Sequence, residues 1–376
     1  MKTPARRKPQ RPSEVIAGRL RRFRREATRR KVSALLITNP QDYLYLTGFS
    51  GEDSAVLLTG RAVHVITDGR FSEVVRTECP WATTWIRRGT LNAKIAEVCK
   101  SQEIRALAVQ SDHLCVSGFA ELAKLTGIRR LRSAPPILAD MRKIKQPAEL
   151  TTMRKAIRIA EGAFAATRAS IRIGQTELEL AARLEFEMKK RGSSAPAFPT
   201  ICAEGPNAAL PHAHPGQRKV RKGSAILFDW GARWRGYCSD LTRMVFIGSI
   251  PRKIAEVYDV VLEAQQKAIA AIRPGRRMCD VDAEARDFIA AAGYGEAFCH
   301  GLGHGLGLDV HEPPSLSWRS KEKLEAGMVV TVEPGVYLPG VGGVRIEDDV
   351  LVTPQGRRVL SRLGRSSGES VLSPVR

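Results

Sequence analysis

The chain has 376 residues, of which 43% are hydrophobic and 26% charged, and it carries a formal net charge of +21. This composition is typical of a globular protein with room for two domains. No run of about 18 apolar residues occurs, and no apolar segment follows the basic N-terminus. We therefore expect neither a transmembrane helix nor a secretory signal.

The cysteines indicate a reducing cellular compartment and do not form a metal-binding or disulfide motif. There are seven of them, an odd number, and no two form a CxxC pair. This pattern argues against a disulfide framework and against a zinc ribbon. It favours the reducing environment of the cytoplasm.

About half of the net charge lies at the N-terminus. Residues 1–31 hold 13 Lys or Arg against Glu14 and Glu26, which gives a net charge of +11. Such a basic arm can contact nucleic acid, ribosomes or acidic lipid. The alternative, which charge runs usually follow, is a solubilising tail that leads into a helix with solvated arginines. We predict a disordered tail at residues 1–13 and a helix at residues 14–31.

Strands and helices alternate in the segment that follows. Apolar runs predict strands at residues 32–38, 54–59, 62–67 and 106–110, and the second and third of these are close enough to form a hairpin. The residues NPQDY between the first two runs predict a turn. Helical segments are expected at about residues 70–78, 90–101 and 117–125. The pattern predicts an α/β domain with a mixed sheet over residues 14–140.

A second domain is predicted from residue 147 to residue 364. The run APPILADMRKIKQPAEL contains a double proline, a basic run and Gln-Pro, which predicts a boundary between residues 140 and 147. Helices are expected at about residues 148–171, 177–191, 251–272 and 280–292. Thr176 and Glu179 form a capping-box pattern at the second of these. Residues 365–376 lack apolar periodicity and are expected to be a disordered tail.

Four acidic residues of this second domain stand in runs that otherwise predict buried strands. They are Asp229 in AILFDWGA, Asp240 in YCSDLTRMVFIG, Glu333 in MVVTVEPGVYL and Glu347 in GGVRIEDDVLV. A buried carboxylate is costly unless it is paired or binds a metal. Asp229 and Asp240 are 11 residues apart on adjacent strand runs, so a hairpin can bring them together. The pattern predicts a site for hard divalent cations.

Three histidines lie in a glycine-rich run between these strands. The run CHGLGHGLGLDVHE contains His300, His304 and His311. The first two have the spacing of a zinc-binding helix, but the glycines disfavour a helix. The run also differs from a dinucleotide-binding signature, because Leu306 occupies the final glycine position. The simplest interpretation is one metal ligand and two histidines that face the substrate.

The charge of the acids indicates the number of metal ions. Four carboxylates carry too much negative charge for one divalent ion, whereas two ions balance them. Oxygen-rich ligation with a single imidazole favours Mn²⁺, with Co²⁺, Fe²⁺ or Zn²⁺ as alternatives. Two such ions can activate a water molecule and polarise a carbonyl group.

The motifs DWG, SDLTR, HGLGHGLGLDVHE, TVEPG and RIEDD, in this order, resemble the pita-bread metallopeptidases in their proline-specific branch, aminopeptidase P and prolidase. The resemblance covers about residues 15–362. Upstream, ALLITNPQDYLYLTGFSG is similar to the creatinase-type N-terminal domain of that branch. The implied fold class is α+β, with an N-terminal α/β creatinase-like domain and a mixed sheet, followed by a C-terminal pita-bread catalytic domain.

The resemblance also implies an activity and its partners. The implied reaction is dinuclear metal-dependent hydrolysis of Xaa-Pro bonds, at the N-terminus of peptides or in dipeptides. The substrates would be peptides with proline at the second position. The implied protein is a cytoplasmic homodimer with no membrane partner. Contact of the basic N-terminal arm with nucleic acid stays open.

Five residues match the metal-ligand positions of that branch. By resemblance, Asp240 and Glu347 would bridge both ions, and Glu333 would also act as the general base and acid. The implied metal ligands are Asp229, Asp240, His304, Glu333 and Glu347.

Four further residues match positions around the substrate. His212, in NAALPHAHPG, and His311 would face the substrate and stabilise the intermediate near the scissile carbonyl. His300 would line the proline side of the pocket, and Arg345 would take part in proton movement. The neighbouring His214 receives no role.

Three other functions compete with this one. The same metal ligands support methionine aminopeptidase activity, but the preceding α/β domain and the runs DVHE and PHAHP fit the proline branch better. Creatinase-like amidine hydrolysis without metal would have lost ligands that are intact here. A catalytically inactive binding module that uses the basic arm conflicts with the same intact ligands. The sequence leaves a dipeptidase and an aminopeptidase P as alternatives.

Overall fold

A computed structural model describes residues 11–373 of the chain. It comprises two units, and the division between them falls after Met141. Residues 1–10 of the predicted N-terminal tail lie outside the described residues. None of the helices between residues 11 and 373 combines the length and the apolar character that crossing a bilayer requires. All seven cysteines lie within the described part of the chain and are free thiols.

The first unit alternates helices and strands, as its sequence predicts. In chain order its elements are α1 (Glu14–Arg29), β1 (Ala34–Ile37), α2 (Pro40–Thr47), β2 (Ala55–Thr59), β3 (Val63–Asp68), α3 (Ser72–Glu78), β4 (Thr83–Arg87), α4 (Leu91–Ser101), β5 (Ala106–Val109), α5 (Val116–Thr126), β6 (Arg130–Ser133) and α6 (Ile137–Lys143), the last of which crosses the division.

These strands form one mixed six-stranded sheet in the order β4-β3-β2-β1-β5-β6. The pairs β1–β2 and β2–β3 are antiparallel, whereas β1–β5, β3–β4 and β5–β6 are parallel. Leu36, Leu57, Ile66 and Val109 are buried on one side of the sheet together with Val98 of α4. The predicted mixed sheet and the predicted β2–β3 hairpin are therefore confirmed.

Two parts of the first unit differ from the sequence-based expectation. The expected turn at NPQDY is the start of α2, because the Asn39 side chain caps the backbone N–H of Gln41 and Pro40 occupies the first helical position. The strands β4 and β6 were not expected. Both lie at sheet edges and carry mostly exposed side chains, so they lack the apolar pattern that reveals a buried strand.

The arginines of α1 are not all solvated, which corrects the expectation for this helix. Arg19 is buried, donates to the Tyr45 carbonyl oxygen at 2.7 Å and lies 4.0 Å from the centre of the Tyr45 ring. Just after the helix, Arg30 forms an ion pair with Asp140 at 2.7 Å. Part of the basic charge therefore stabilises the first unit.

The second unit contains four long helices and several small sheets. Its elements are α7 (Pro147–Ala169), α8 (Glu177–Lys190), β7 (Ala195–Pro196), β8 (Ile201–Glu204), β9 (Ala225–Trp230), β10 (Ala232–Trp234), β11 (Tyr237–Cys238), β12 (Leu241–Ile247), α9 (Arg252–Ala271), α10 (Met278–Ala291), β13 (Gly303–Gly305), β14 (Glu312–Leu316), β15 (Val329–Val332), β16 (Gly335–Leu338), β17 (Gly342–Arg345), β18 (Asp348–Thr353), β19 (Gly356–Val359), α11 (Ser367–Ser370) and β20 (Val371–Leu372).

Two sheets of this unit provide most of the site. One has the strand order β20-β12-β9-β8 and the other the order β14-β13-β15-β18-β19. The helices α7 and α8 pack on β9 and β12, where Phe164 stacks on Trp230 with 4.4 Å between ring centres. The helices α9 and α10 pack against residues of both sheets, and Phe246 meets Tyr258 edge-on there. The sheets are therefore held in place by burial of apolar side chains.

The predicted capping box at the start of α8 is present. The backbone N–H of Glu179 donates to the Thr176 hydroxyl at 3.2 Å, and that of Thr176 donates to the Glu179 carboxylate at 2.7 Å. The four predicted long helices of this unit are all found, with ends within three residues of the expected positions.

The prediction of a disordered C-terminal tail is wrong for residues 365–373. The strand β20 pairs in parallel with the end of β12, and the N–H of Gly248 donates to the Leu372 carbonyl at 2.7 Å. Arg168 donates to the Val371 carbonyl at 3.3 Å, and the Tyr258 hydroxyl donates to that of Arg365 at 2.8 Å. Because backbone contacts order this segment, apolar periodicity does not reveal it. Residues 374–376 lie outside the described part of the chain.

We expect a chain that ends at Ser366 to be less stable than the full chain. Removal of residues 367–376 leaves backbone groups of β12 without partners, which should lower the free energy of unfolding by about 1–3 kcal/mol. Urea unfolding followed by circular dichroism measures the difference. A chain that lacks only residues 374–376 is the matched control, and equal stability of all three chains would contradict the expectation.

Candidate metal centre

Strand register brings the two aspartates to one end of the β9–β12 pair. Asp229 is the last but one residue of β9, and Asp240 directly precedes β12. The strands are antiparallel, and Asp229 lies opposite Thr242. The two carboxylates therefore leave neighbouring strands at the same end of the sheet, as the hairpin prediction requires.

The remaining three residues come from the second sheet. His304 lies in the middle of β13, Glu333 directly follows β15, and Glu347 directly precedes β18. The strands β15 and β18 are antiparallel neighbours, so both glutamates lie at the same sheet edge. The N–H of Glu347 donates to the Thr242 carbonyl at 3.2 Å, which joins this edge to β12.

These residues converge to within coordination distance of a common point. One ligand atom each of Asp240, His304 and Glu347 lies within 4.8 Å of the others. The Nε2 atom of His304 is 3.1 Å from Glu333 Oε1 and 3.6 Å from Asp240 Oδ2. Asp229 faces the same cavity, and its Oδ1 is a buried atom with no hydrogen-bond partner among the described residues.

Burial and the closeness of the acids change the pKa values of three carboxyl groups in the site. Burial raises the pKa of Asp240 and Glu347 well above the ordinary carboxyl range, and the neighbouring acids raise it further. Burial also raises the pKa of Asp229, although Arg345 opposes this shift. In each case the charged carboxylate is disfavoured unless positive charge is supplied.

The pKa of Glu333 is lowered, unlike that of the other three acids, because Glu333 is paired with His304. Burial acts to raise the pKa of Glu333, but the hydrogen bond and charge of His304 hold it at about 2. Burial likewise acts to lower the pKa of His304, and the Glu333 carboxylate outweighs it and leaves that pKa raised. The protein alone therefore favours an imidazolium–carboxylate pair at this position.

The donor set fits divalent cations. It provides one imidazole and four carboxylates, and one of these carboxylates, that of Asp229, has an unpartnered Oδ1. The Nδ1 of His304 lies 3.1 Å from the Gly305 carbonyl oxygen, which can only accept, so Nδ1 carries a proton. When the imidazolium loses its other proton, the Nε2 lone pair is directed at the carboxylates, the usual arrangement of a metal-binding histidine.

Hydroxyl groups orient the two glutamates. Thr242 donates to Glu347 Oε2 at 2.7 Å and itself accepts from Arg345 Nε at 3.2 Å. Thr331 donates to Glu333 Oε1 at 3.0 Å. Such outer hydrogen bonds fix the rotamer of a carboxylate before any ligand binds.

Arg243, which the sequence did not single out, supports the same region from behind. Its side chain is 2% exposed and donates to the carbonyl oxygens of Thr242, Glu347 and Gly364. It also forms a buried ion pair with Asp348 at 2.7 Å. The guanidinium therefore ties the backbone of Glu347 to β12 and to the C-terminal segment.

A hydrogen-bonded series leads from Asp229 to His300. Arg345 donates to Asp229 Oδ2 and, at 2.7 Å, to the Tyr337 hydroxyl. The His300 Nδ1 must donate to the Gly301 carbonyl at 2.8 Å, so Nε2 accepts from the Tyr337 hydroxyl at 2.9 Å. Burial lowers the pKa of His300 and raises that of Tyr337 to about 12, so both groups are neutral near pH 7.

Tyr337 was missed in the sequence, although two glycines make room for it. A Cβ atom at Gly335 would lie 2.4 Å from the Tyr337 hydroxyl oxygen, and one at Gly343 would lie 2.8 Å from its ring. Gly335 pairs with Arg345 across β16 and β17, which places the tyrosine beside the arginine. Glycines in strands indicate that another group approaches closely, but which side chain fills the space depends on the strand register.

All nine predicted site residues line one cavity of about 820 Å³ in the second unit. The His311 ring meets the His304 ring edge-on at 4.3 Å, and desolvation lowers the His311 pKa. His212 and His214 line the same cavity. The remaining walls were not foreseen in the sequence and include Phe198, Pro199, Ile201, Trp318, Arg319 and Tyr337.

Comparison with known protein families gives two matches. Residues 151–354 match the model of metallopeptidase family M24, and residues 19–144 match that of the creatinase/prolidase N-terminal domain. Both matches agree with the two-part organisation described above.

Individual proteins resemble the chain over most of its length. It is 37% identical over 336 residues to an Xaa-Pro dipeptidase of Pyrococcus horikoshii, which covers 89% of this chain and 94% of the relative. An Xaa-Pro dipeptidase structure from Bacillus anthracis matches with a TM-score of 0.90 and 34% identity, over 95% of this chain and all of that one. The X-Pro aminopeptidase structure of Thermotoga maritima matches with a TM-score of 0.85 and 35% identity, over 93% and 99%.

We expect binding of Mn²⁺ to the metal-free protein at pH 6 to release protons. A cation favours ionised Asp240 and Glu347 and neutral His304, whose pKa values are all raised without it. About one proton or more should leave per chain, and the affinity should rise with pH between 5 and 7. Titration calorimetry in two buffers with different heats of ionisation measures this number.

The exposed carboxyl of Asp287 on α10 provides a matched control for this titration. The Asp287→Asn variant should release as many protons as the wild-type protein, whereas Asp240→Asn should release fewer. Binding of Mn²⁺ without any proton release at pH 6 would contradict the proton distribution described above.

Proposed function

This chain belongs to metallopeptidase family M24, and we propose that it uses two divalent metal ions to hydrolyse the bond between an N-terminal residue and a following proline. The observation that carries the proposal is the convergence of Asp240, His304 and Glu347 to within 4.8 Å in a cavity that also holds Glu333 and Asp229. One relative is named an Xaa-Pro dipeptidase and another an X-Pro aminopeptidase, and both names support an Xaa-Pro substrate.

Membership of this family implies divalent metal ions. Two ions carry four positive charges, which match the four carboxylates of the site. The residues that would hold the ions are Asp229, Asp240, His304, Glu333 and Glu347. Mn²⁺ suits the oxygen-rich donors, with Co²⁺, Fe²⁺ and Zn²⁺ as alternatives. When bound, the ions polarise the scissile carbonyl and lower the pKa of a water molecule.

The side of the cavity near His300 suits the proline ring. The neutral His300 ring and the Tyr337 ring both line the cavity, with 5.6 Å between their centres, so this wall is aromatic. The buried Phe298 ring packs edge-on against His300 at 5.1 Å. A proline has no backbone N–H and a fixed ring shape, so it requires shape matching rather than a hydrogen-bond acceptor. We therefore assign this wall to the proline of the substrate.

Proton transfer is assigned to Glu333. Hydrolysis requires that a proton move from water to the proline nitrogen, and Glu333 lies at a strand end that faces the cavity. A carboxylate that accepts the proton at Oε1 or Oε2 can deliver it to the departing nitrogen. Arg345 is hydrogen-bonded to Asp229 and Tyr337 and provides a fixed positive charge in the cavity in which Glu333 would transfer the proton.

Two histidines are assigned to the developing oxyanion. Desolvation and the neighbouring His304 lower the pKa of His311, so it is neutral near pH 7 and keeps one ring N–H to donate. His212 lines the same cavity from a different loop. Donors fixed before the reaction stabilise negative charge without reorganisation.

The competing functions have less support. The match of residues 19–144 to the creatinase/prolidase N-terminal domain and the Xaa-Pro relatives disfavour a methionine aminopeptidase. An inactive binding module has no need of five intact ligands in one cavity. We retain a homodimer and a cytoplasmic location as proposals. Light scattering of the purified protein tests the former, and fractionation of the source cells tests the latter.

We expect chelation to abolish cleavage of an Xaa-Pro peptide. Treatment with EDTA removes the positive charge that the carboxylates require, and added Mn²⁺ or Co²⁺ should restore the activity. The Asp240→Ala variant should bind neither ion and should not recover, whereas Asp287→Ala should behave as the wild type. Metal analysis of each protein, together with release of the N-terminal residue, gives the answer. Activity that persists in EDTA would count against the proposal.

The Glu333→Gln variant should lose much more turnover than stability. Loss of the proton-transferring carboxylate should reduce kcat by about 10²–10⁴-fold, while the unfolding midpoint changes by only a few degrees. The exposed Glu263 on α9, paired with Lys267, offers Glu263→Gln as a control with unchanged kcat. A Glu333→Gln enzyme with wild-type kcat would exclude the assigned role.

A further inference from the structure

A buried glutamate of α8 has no part in the chemistry assigned above. Glu177 is the first residue of α8, and only 1% of its surface is exposed. Between residues 11 and 373, no Lys, Arg or His lies within ion-pair distance of its carboxylate. A buried carboxylate without a cation requires several hydrogen bonds, so its donors show what it holds in place.

These donors come from both ends of one loop. The N–H of Glu204 donates to Glu177 Oε1 at 2.6 Å, and the N–H of Gly216 donates to Oε2 at 2.8 Å. The side-chain amide of Asn207 lies 3.0 Å from both oxygens. Glu204 is the last residue of β8, and Gly216 lies on the way to β9. A single carboxylate therefore closes the loop of residues 205–215, which we call the His212 loop.

The ring of His212 depends on this loop for its position. His212 lines the cavity and is exposed, and no described residue forms a hydrogen bond with its ring. The backbone beside it is held, however. The Asn207 amide, which binds Glu177, lies 3.4 Å from the His214 carbonyl oxygen, and the side chain of Ala213 is buried in the apolar core. The restraint at Glu177 therefore reaches both neighbours of the imidazole through the backbone.

The middle of the His212 loop rests on β17. Arg345 Nη1 donates to the Pro211 carbonyl oxygen at 3.3 Å. A Cβ atom at Gly343 would overlap the Ala208 carbonyl oxygen, so only glycine lets the loop come this close to the strand. The loop is therefore fixed at its centre by the strand that carries Arg345 and at its ends by Glu177.

We propose that Glu177 is a positioning residue for the reaction, because its carboxylate closes the His212 loop and so fixes the His212 ring at the oxyanion. Glu177 itself contacts neither substrate nor metal. A donor that is displaced by about 1 Å can lower the rate by up to about 10²-fold, so a restraint on the loop is felt in turnover. This inference rests on the proposed function, since the oxyanion role of His212 belongs to it.

The Glu177→Gln variant tests the restraint. Glutamine has almost the same shape, but its NH₂ group meets the donors of the loop with a further donor, so at least one end is released. In the Mn²⁺-loaded enzyme, kcat for Ala-Pro and Ala-Pro-Phe should fall about tenfold, with KM changed by less than about twofold. Amide hydrogen exchange of residues 205–215, followed by mass spectrometry, should become faster.

A double-mutant cycle separates positioning from a general loss of structure. His212→Ala should lower kcat by about 10²-fold, because one oxyanion donor is removed. In that background, Glu177→Gln should lower kcat by less than about a further twofold, since the group it positions is already absent. A tenfold fall in both backgrounds would show that Glu177 acts elsewhere and would overturn the proposal.

A second variant keeps the buried carboxylate intact. Asn207→Ala removes one of the same hydrogen bonds from the side of the loop and should lower kcat about threefold. This loss should also disappear in the His212→Ala background. A loss of the same size in both backgrounds would contradict the proposal even where Glu177→Gln fails to fold.

The matched control is Glu179→Gln, the same chemical change in the same turn of α8. The exposed Glu179 carboxylate accepts from Thr176 and from no residue of the loop, so kcat and exchange of residues 205–215 should be unchanged. A loop that exchanges as slowly in Glu177→Gln as in the wild type would overturn the positioning role, as would a parallel loss of Mn²⁺ affinity. A wild-type enzyme that cleaves neither peptide would instead overturn the proposed function, and with it the role of His212.

Discussion

The concentration of negative charge at the ends of four strands is the constraint on which the second unit depends. Burial raises the pKa of Asp240 and Glu347, and repulsion between carboxylates this close in a low-dielectric environment raises it further. Apolar packing of the two helix pairs on the sheets offsets the cost, because it fixes the strands on which the acids stand. The site is therefore held in a high-energy arrangement that cations relieve, which links metal binding to folding.

The hydrogen bonds behind the acids make this arrangement specific. Thr242 and Thr331 orient the glutamate side chains through their hydroxyl groups, whereas Arg243 holds the Glu347 backbone. Arg243 also donates to the carbonyl of Gly364, so the C-terminal segment belongs to the same network. The order of that segment follows from its backbone bonds to a buried guanidinium and to β12. Val371 and Leu372 pack against the apolar core, but two adjacent apolar residues give no periodic signal, which is why the sequence resembles a tail.

The sequence was most informative where it conflicted with ordinary burial rules. An acid inside an apolar strand is conspicuous, so Asp229, Asp240 and Glu347 could be identified from the residues around them. Tyr337 and Arg243 could not, because each occupies a position where its residue type is unremarkable. Their roles arise from register and from contacts distant in sequence, such as the pairing of Gly335 with Arg345. The edge strands β4 and β6 were not predicted for a related reason. Their side chains are mostly exposed, so their sequences show no apolar periodicity.

The proposed metal ligands and part of the cavity wall come from different kinds of segment. The five proposed ligands stand on strands or directly beside them, where register fixes their separation. Trp318 and Arg319 line the same cavity from the loop after β14, where a substitution alters contacts without moving a strand. Strand pairing therefore constrains the proposed ligands much more tightly than it constrains this part of the wall.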